Sequence, residues 1–197
     1  IIWLVLRRLT DDLRAMAARD PLTQLLNRRG LSEGLEAHFR SRNAGPAHLF
    51  VVDIDHFKRI NDTWGHEVGD TVLRHVADVL RETARKGDLA CRVGGEEFVI
   101  VCRDTDGQGA MRLAERVRAT IEQHAVPIGG GRDPIQCTAT IGVSHGFASA
   151  HGFDHAMQQA DAALYHGKAA GRNRVVQRAD TDSKPVATKA DGSPAMA

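Results

Sequence analysis

The sequence predicts an α+β fold, an antiparallel sheet with helices packed on it. Three observations carry that reading. Short apolar runs at 47–52, 89–93 and 98–101 interleave with stretches of helical period at 72–83, 109–124 and 153–169. Gly94-Gly95 sits between two of those runs as a hairpin signal, because glycine accepts positive φ without steric cost. Ile135, Cys137, Ala139, Ile141 and Val143 alternate strictly, the pattern of a strand. The resulting order is a βαββαβ core with an extra helix in front and a further strand behind.

In chain order, Ile2, Leu6, Leu9, Leu13 and Met16 recur at spacings of four and three, a coiled-coil seam. The same stretch, with Arg7-Arg8 after an apolar start, also suits the inner end of a transmembrane helix. Ile1 in place of methionine suggests a piece of a longer protein. Asp20-Pro21 breaks that first helix. A helix over 29–42 has Leu31, Leu35 and Phe39 on one face, and Asn43 to Pro46 turn the chain. The run 47–52 is apolar throughout, hence a strand buried on both faces, and it ends in Asp53-Ile54-Asp55. A short helix over 56–61 follows, capped by Asp55, then a loop carrying Gly65 and Gly69. The helix over 72–83 leads to the hairpin, and Ala110, Leu113, Ala114, Val117 and Ile121 stripe the next one. Residues 127–134 are a glycine-rich connection. A last short strand occupies 174–177, and from 179 onward the small polar composition is that of a disordered tail. The expected organisation is therefore a signalling helix over 1–19, a domain over 20–178 and a tail over 179–197.

At 197 residues and 42% hydrophobic the chain can bury a core. Its formal charge of +1, from 26 basic and 25 acidic residues, offers no global field for nucleic acid or a membrane surface. Cys91, Cys102 and Cys137 all fall in expected strands, an odd count that reads as core residues of a reducing compartment, the cytoplasm. No Cys/His spacing suits zinc.

The chemistry concentrates at Gly94-Gly95-Glu96-Glu97. The ordinary reading is a solvated acidic hairpin tip. The alternative is that bare backbone admits a bulky anion while adjacent carboxylates hold a hard cation, a place for a metal-bound triphosphate. If the hairpin pairs with the strand ending at Asp53, three carboxylates converge and need a cation between them, Mg²⁺ or Mn²⁺ by their oxygen-only donors. Lys168 and Arg172, four apart, share a face if the last helix runs that far. Asp70 would cap a helix starting near Thr71, and Asn61 would end one. Arg85 and Asp88 read as a surface ion pair.

Arg92-x-Gly94-Gly95-Glu96-Glu97-Phe98 resembles the signature of the GGDEF family of diguanylate cyclases. Asp20-Pro21-Leu22-Thr23-Gln24-Leu25-Leu26-Asn27-Arg28-Arg29 resembles its opening motif. Asp53-Ile54-Asp55-His56-Phe57-Lys58-Arg59-Ile60-Asn61-Asp62 with Gly65-His66-x-x-Gly69-Asp70 resembles its metal and base-binding segment. Asp161-x-Ala163-Leu164-Tyr165-x-x-Lys168-x-x-Gly171-Arg172-Asn173 resembles its closing motif. The match spans 20–177 in unbroken order.

The resemblance implies a ferredoxin-like sheet of the kind found in nucleotidyl cyclases and polymerase palms. It implies an enzyme that joins two GTP into cyclic di-GMP, one GTP per chain, and so needs a homodimer. It assigns Asp53, Glu97 and the Ile54 carbonyl to two metal ions and Glu96 to the reacting centre. Asn61 and Asp70 would read guanine. Gly94, Gly95, Phe57, Lys58, His66, Lys168 and Arg172 would line the rest of the nucleotide. Arg85 and Asp88, with Arg116, would form an inhibitory site for the product. A silent cyclic di-GMP-binding module and a cyclase for mixed or adenine dinucleotides are the rival expectations, and the complete set Asp53, Glu96, Glu97, Lys168, Arg172 argues against silence.

Overall fold

The structure is a computed structural model and describes residues 18–177; the expected N-terminal seam and C-terminal tail lie outside them. Helix α1 (Arg28–Phe39) starts at Asn27, whose side chain accepts from the Gly30 amide, and stops three residues short of the expected end. Strand β1 (Ala47–Ile54) is buried at every position, including His48 and Asp53 within its otherwise apolar run. Helices α2 (Phe57–Trp64) and α3 (His66–Thr83) follow, then β2 (Leu89–Gly94), β3 (Glu97–Arg103) and α4 (Gly107–Gln123). Strand β4 (Ala139–Val143), helix α5 (Phe153–Ala169) and β5 (Val175–Gln177) complete the order.

The five strands run β2-β3-β1-β4-β5, with β1 antiparallel to both β3 and β4 and only β5 parallel to its neighbour. The first four strands have the ferredoxin-like arrangement of palm domains, and β5 extends the edge. Alternation along β1 splits the core in two. Phe50, Val52 and Ile54 join Val72, Val76, Leu80, Leu113 and Val117 of α3 and α4 on one face. Leu49 and Val51 join Leu31, Leu35, Ala160 and Leu164 of α1 and α5 on the other. Gly142 allows the close approach of α5, since a Cβ there would lie 2.0 Å from the Ala160 carbonyl oxygen.

Two expected boundaries fail. There is no loop over 65–69. Gly65, at φ 85°, turns the chain in one residue and α3 begins at His66, so Gly69 and Asp70 are helical. Burial alternates only ahead of the strand, where Ile135 and Cys137 are buried and Gln136 exposed; from Ala139 to Val143 every residue is buried. The ladder itself starts only at Ala139, because Ile135 bridges Val126 instead. Cys137 therefore lies just ahead of a strand. All three thiols are free and buried, and burial pushes Cys91 and Cys102 up to about 12. Among the described residues no helix is long and apolar enough to cross a membrane.

Candidate active site

The register of β1 against β3 places Asp53 opposite Glu97. Both continue the row of Val51 and Val99, so the two carboxylates lie on the α1/α5 face of the sheet. Asp53 is buried at 5% exposure, and the Lys168 ammonium from the last turn of α5 lies 2.8 Å from its Oδ2. Burial raises the Asp53 carboxyl above its ordinary range; Lys168 pulls it back, and the charges of Glu96 and Asp55 push it up again. Glu97 is exposed yet its carboxyl is also raised, by partial burial first and then by Asp53 and Asp161. A groove of about 1070 Å³ opens beside Glu97 and Lys168, floored by Leu31, Leu35 and Val51; Asn61, Asp70, Gly94, Gly95 and Arg172 do not line it.

The turn between β2 and β3 uses its glycines as the sequence suggests, with Gly95 at φ 49°. Arg92 clamps it. Its Nε and Nη2 donate to the Gly95 carbonyl at 3.1 and 2.9 Å, and its Nη1 reaches Asp20 Oδ1 at 3.2 Å. Asp20 also accepts from the Thr23 amide and hydroxyl. The opening motif is thus folded onto the hairpin, a role that the motif's sequence alone does not reveal.

Among the described residues, no three His, Cys, Asp or Glu side chains are gathered closely enough to cage a metal ion. Asp53 and Glu97 still fit one. They are oxygen donors held opposite each other, both made reluctant to ionise, chiefly by burial and then by nearby acids, Asp53 acting on Glu97 and Glu96 on both, and Ile54 follows at the strand end. Mg²⁺ is commonly held by one or two carboxylates, with substrate phosphates completing its shell.

Four residues after Asp53, Phe57 opens α2. Its N-cap His56 has left-handed backbone at φ 56° and supplies no capping side chain, so the first amides of α2, those of Phe57 and Lys58 among them, face no cap. Such an end attracts anions. The Phe57 ring is buried and the Lys58 side chain exposed. Asn61 in α2 leaves its Oδ1 buried without a partner, pressed against Gly69, where a Cβ would come within 1.9 Å of it. Asp70 follows Gly69 on α3, half-buried, with no hydrogen-bond partner for its carboxylate among the described residues. It caps nothing, because α3 started earlier, at the exposed His66.

Two expectations about neighbouring polar groups are overturned. Asp55 is not the cap of α2. It is buried and accepts from the Thr138 and Thr140 hydroxyls at 2.7 and 2.6 Å and from the Asn173 amide at 3.0 Å. Lys168 and Arg172 do not share a helical face, because α5 ends at Ala169 and Arg172 stands in a left-handed turn at φ 63°. The competing force in both cases is tertiary: the closing motif hydrogen-bonds back to the end of β1. Asp161 on α5 also raises Glu97, an influence that its place in the closing motif does not reveal.

Arg85 and Asp88 lie elsewhere, at the Arg103 end of β3. Asp88 Oδ2 accepts from the Arg85 amide at 2.9 Å and its Oδ1 from the Arg103 amide at 3.3 Å. Arg116 Nη2 donates to the Thr83 carbonyl at 2.8 Å, at the end of α3. The seven residues of β3 separate this turn from Glu97 by about 20 Å.

A palm-type sheet with paired acids at one strand end and a glycine turn beside them defines the nucleotidyl cyclase class of domain. The family model for the diguanylate cyclase GGDEF domain matches residues 17–174, and the chain belongs to that family. It is 39% identical over 182 residues to the response regulator PleD of Caulobacter vibrioides, across 88% of this chain and 40% of PleD. It is 42% identical over 167 residues to the diguanylate cyclase DgcP of Pseudomonas aeruginosa, across 84% of this chain and 24% of DgcP. The chain thus spans less than half the length of these curated relatives. The crystal structure of the coiled coil and GGDEF domain of DgcB from Caulobacter crescentus, in complex with c-di-GMP, superposes with a TM-score of 0.78 at 32% identity, covering 87% of this chain and 91% of that one.

Proposed function

We propose that this domain is a diguanylate cyclase that condenses two GTP into cyclic di-GMP and releases two pyrophosphates. The observation that carries the proposal is the pairing of Asp53 with Glu97 beside the glycine turn, with Lys168 at hand. Each chain binds one GTP. Asn61 and Asp70 take the base: a carboxylate suits the N1–H and exocyclic amine of guanine, a donor pair that adenine lacks. Gly94 and Gly95 let the ribose and α-phosphate approach the backbone, while Lys58 and His66 stand at the edges of the nucleotide. The uncapped start of α2, with Lys168 and Arg172, meets the β- and γ-phosphates, the arginine as a fork and the lysine as a point charge.

Asp53, Glu97 and the Ile54 carbonyl would hold Mg²⁺ or Mn²⁺, two ions per site, which when bound polarise the α-phosphate and lower the pKa of an attacking hydroxyl. Two chains face each other. The 3′-oxygen of one GTP bonds to the α-phosphorus of the other, the bond to pyrophosphate breaks, and the hydroxyl proton passes to solvent; the second bond forms the same way. Glu96 sits beside the reacting centre and adds to the field on both ligating carboxylates. Positioning and electrostatics supply most of the rate.

Cyclic di-GMP is also proposed as a feedback ligand of Arg85 and Asp88, which share one turn, with Arg116, which binds the end of the preceding helix. The seam at Ile2, Leu6, Leu9, Leu13 and Met16 would hold the homodimer. GTP as substrate and free thiols suit a cytoplasmic reaction, on a domain that a longer inner-membrane protein can carry, and nucleic acid is not expected as a partner. Incubation with GTP and Mg²⁺, with products resolved by chromatography, tests the activity. Cyclic di-GMP and pyrophosphate in a 1:2 ratio are expected; GTP left intact by the dimeric protein, alongside bound cyclic di-GMP, would instead mark a silent binding module.

A further inference from the structure

Arg172 and Asn173 are consecutive non-glycine residues in left-handed backbone, at φ 63° and 45°. Asparagine tolerates that region; arginine rarely visits it. Such backbone persists where its surroundings over-determine it, and it concentrates at functional sites. Here the surroundings are explicit. The Arg172 amide donates to the Gly167 carbonyl at 3.0 Å. The Asn173 amide donates to Asp55 Oδ2 at 3.0 Å, and its Nδ2 donates to Glu122 Oε1 at 2.6 Å. Its Oδ1 accepts from Arg118 Nη1 at 2.7 Å.

Arg118 is itself pinned. Its Nη1 also donates to Glu122 Oε2 at 2.6 Å, and its Nε and Nη2 both reach Glu115 Oε1. Its side chain is only 14% exposed, unusual for an arginine on an outer helix. Asp55, at the opposite side of the turn, is fixed by two threonine hydroxyls. The turn is therefore bolted between the end of β1 and α4. One cation in it stays uncommitted: among the described residues the Arg172 guanidinium has no hydrogen-bond or ion-pair partner. A strained, over-braced mount that carries a free guanidinium is built to present it.

We propose that Arg118, Glu122 and Asn173 are positioning residues that hold Arg172 in place for the triphosphate of GTP. The inference rests on Arg172 being a phosphate ligand. None of the three need touch the nucleotide; they act through the backbone of Arg172.

The test is binding of a non-hydrolysable GTP analogue with Mg²⁺, and separately of GMP, to the parent and to Arg172→Ala, Asn173→Gly, Arg118→Met and Arg118→Lys. Glycine keeps the backbone permitted and removes only the side-chain brace. Asn173→Gly and Arg118→Met are expected to weaken the triphosphate by ~10-fold while GMP stays within ~2-fold, as a misplaced ligand group would cause. Arg118→Lys, which keeps a donor for Asn173, should recover most of the loss. In the Arg172→Ala background, Asn173→Gly should add nothing. Equal weakening of GMP and the triphosphate, additive losses, or unchanged triphosphate binding in Asn173→Gly and Arg118→Met would overturn the inference. Unchanged triphosphate binding in Arg172→Ala would overturn the phosphate-ligand reading itself, and the inference with it. A variant that melts early is replaced by Glu122→Gln, which loses the charge of the brace and keeps its size.

Discussion

The two ends of β3 are put together on opposite principles. At the Arg103 end, Asp88 has both carboxylate oxygens accepting backbone amides, and Arg116 caps a helix-end carbonyl. That turn is satisfied as it stands. At the Glu97 end, Asp53 and Glu97 face each other, both are raised above their ordinary ionisation range, and a single lysine offsets the charge. Asn61 keeps an orphaned oxygen nearby and a strained turn is braced alongside. A region that carries repulsion and unpaired polar groups is organised around something it binds. A region already satisfied can only add a ligand to its free edges, which suits a regulatory contact better than a catalytic one.

That contrast can be broken first at the carboxylates. Glu97→Ala or Asp53→Ala should reduce cyclic di-GMP formation by ~10³-fold or more, measured as initial rate by chromatography, because charge stabilisation at the reacting phosphate is lost. Near-parental turnover would remove the metal-site assignment. Next in size is Asp70→Ser. Its carboxylate has no internal partner to lose, so the effect should appear in selectivity: GTP-over-ATP preference falling by ~10²-fold, read from kcat/KM for each nucleotide. Retained discrimination would leave Asp70 without a role.

The satisfied end should respond differently. Arg85→Ala should leave the initial rate within ~2-fold of the parent and straighten progress curves that otherwise slow as product accumulates, as expected of a regulatory site coupled by a few kcal/mol or less. Identical slowing in both proteins, or simple competition between cyclic di-GMP and GTP, would contradict this. Asp88→Ala should cost stability as well, since two backbone amides lose their acceptor.

Much of this was legible in the sequence. The largely apolar run of β1 announced a central strand, and Gly94-Gly95 announced the hairpin that pairs Glu97 with Asp53. Where the reading failed, long-range contacts had overridden local preference. Asp55 looks like a cap because it stands before a helix, yet residues over 80 positions away claim its oxygens. Lys168 and Arg172 look like helical neighbours because nothing local stops α5 before Gly171; Asn173, hydrogen-bonded to Asp55 and Glu122, fixes the turn instead. Gly65 was read as loop because glycine is common there, when one residue at φ 85° sufficed to start α3. The Arg92–Asp20 pair spans 72 positions and has no local signature.

The smallest expected effect tests the central contrast most directly. The Glu97 carboxyl is raised in the folded chain, so the protonated form is favoured there relative to the unfolded chain. Its charge therefore costs stability at pH above the ordinary carboxylate range, and the cost disappears as pH falls below it. Glu97→Gln removes the charge and keeps the shape. In metal-free buffer at neutral pH the variant should unfold at a higher temperature than the parent, by an amount equivalent to about 1 kcal/mol or less because solvent screens the exposed tip. With Mg²⁺ and a non-hydrolysable GTP analogue added, the parent should gain stability and overtake the variant. A variant that unfolds lower than the parent without metal, or that gains as much as the parent from metal and nucleotide, would contradict the account of this strand end as a site built for a cation and a triphosphate.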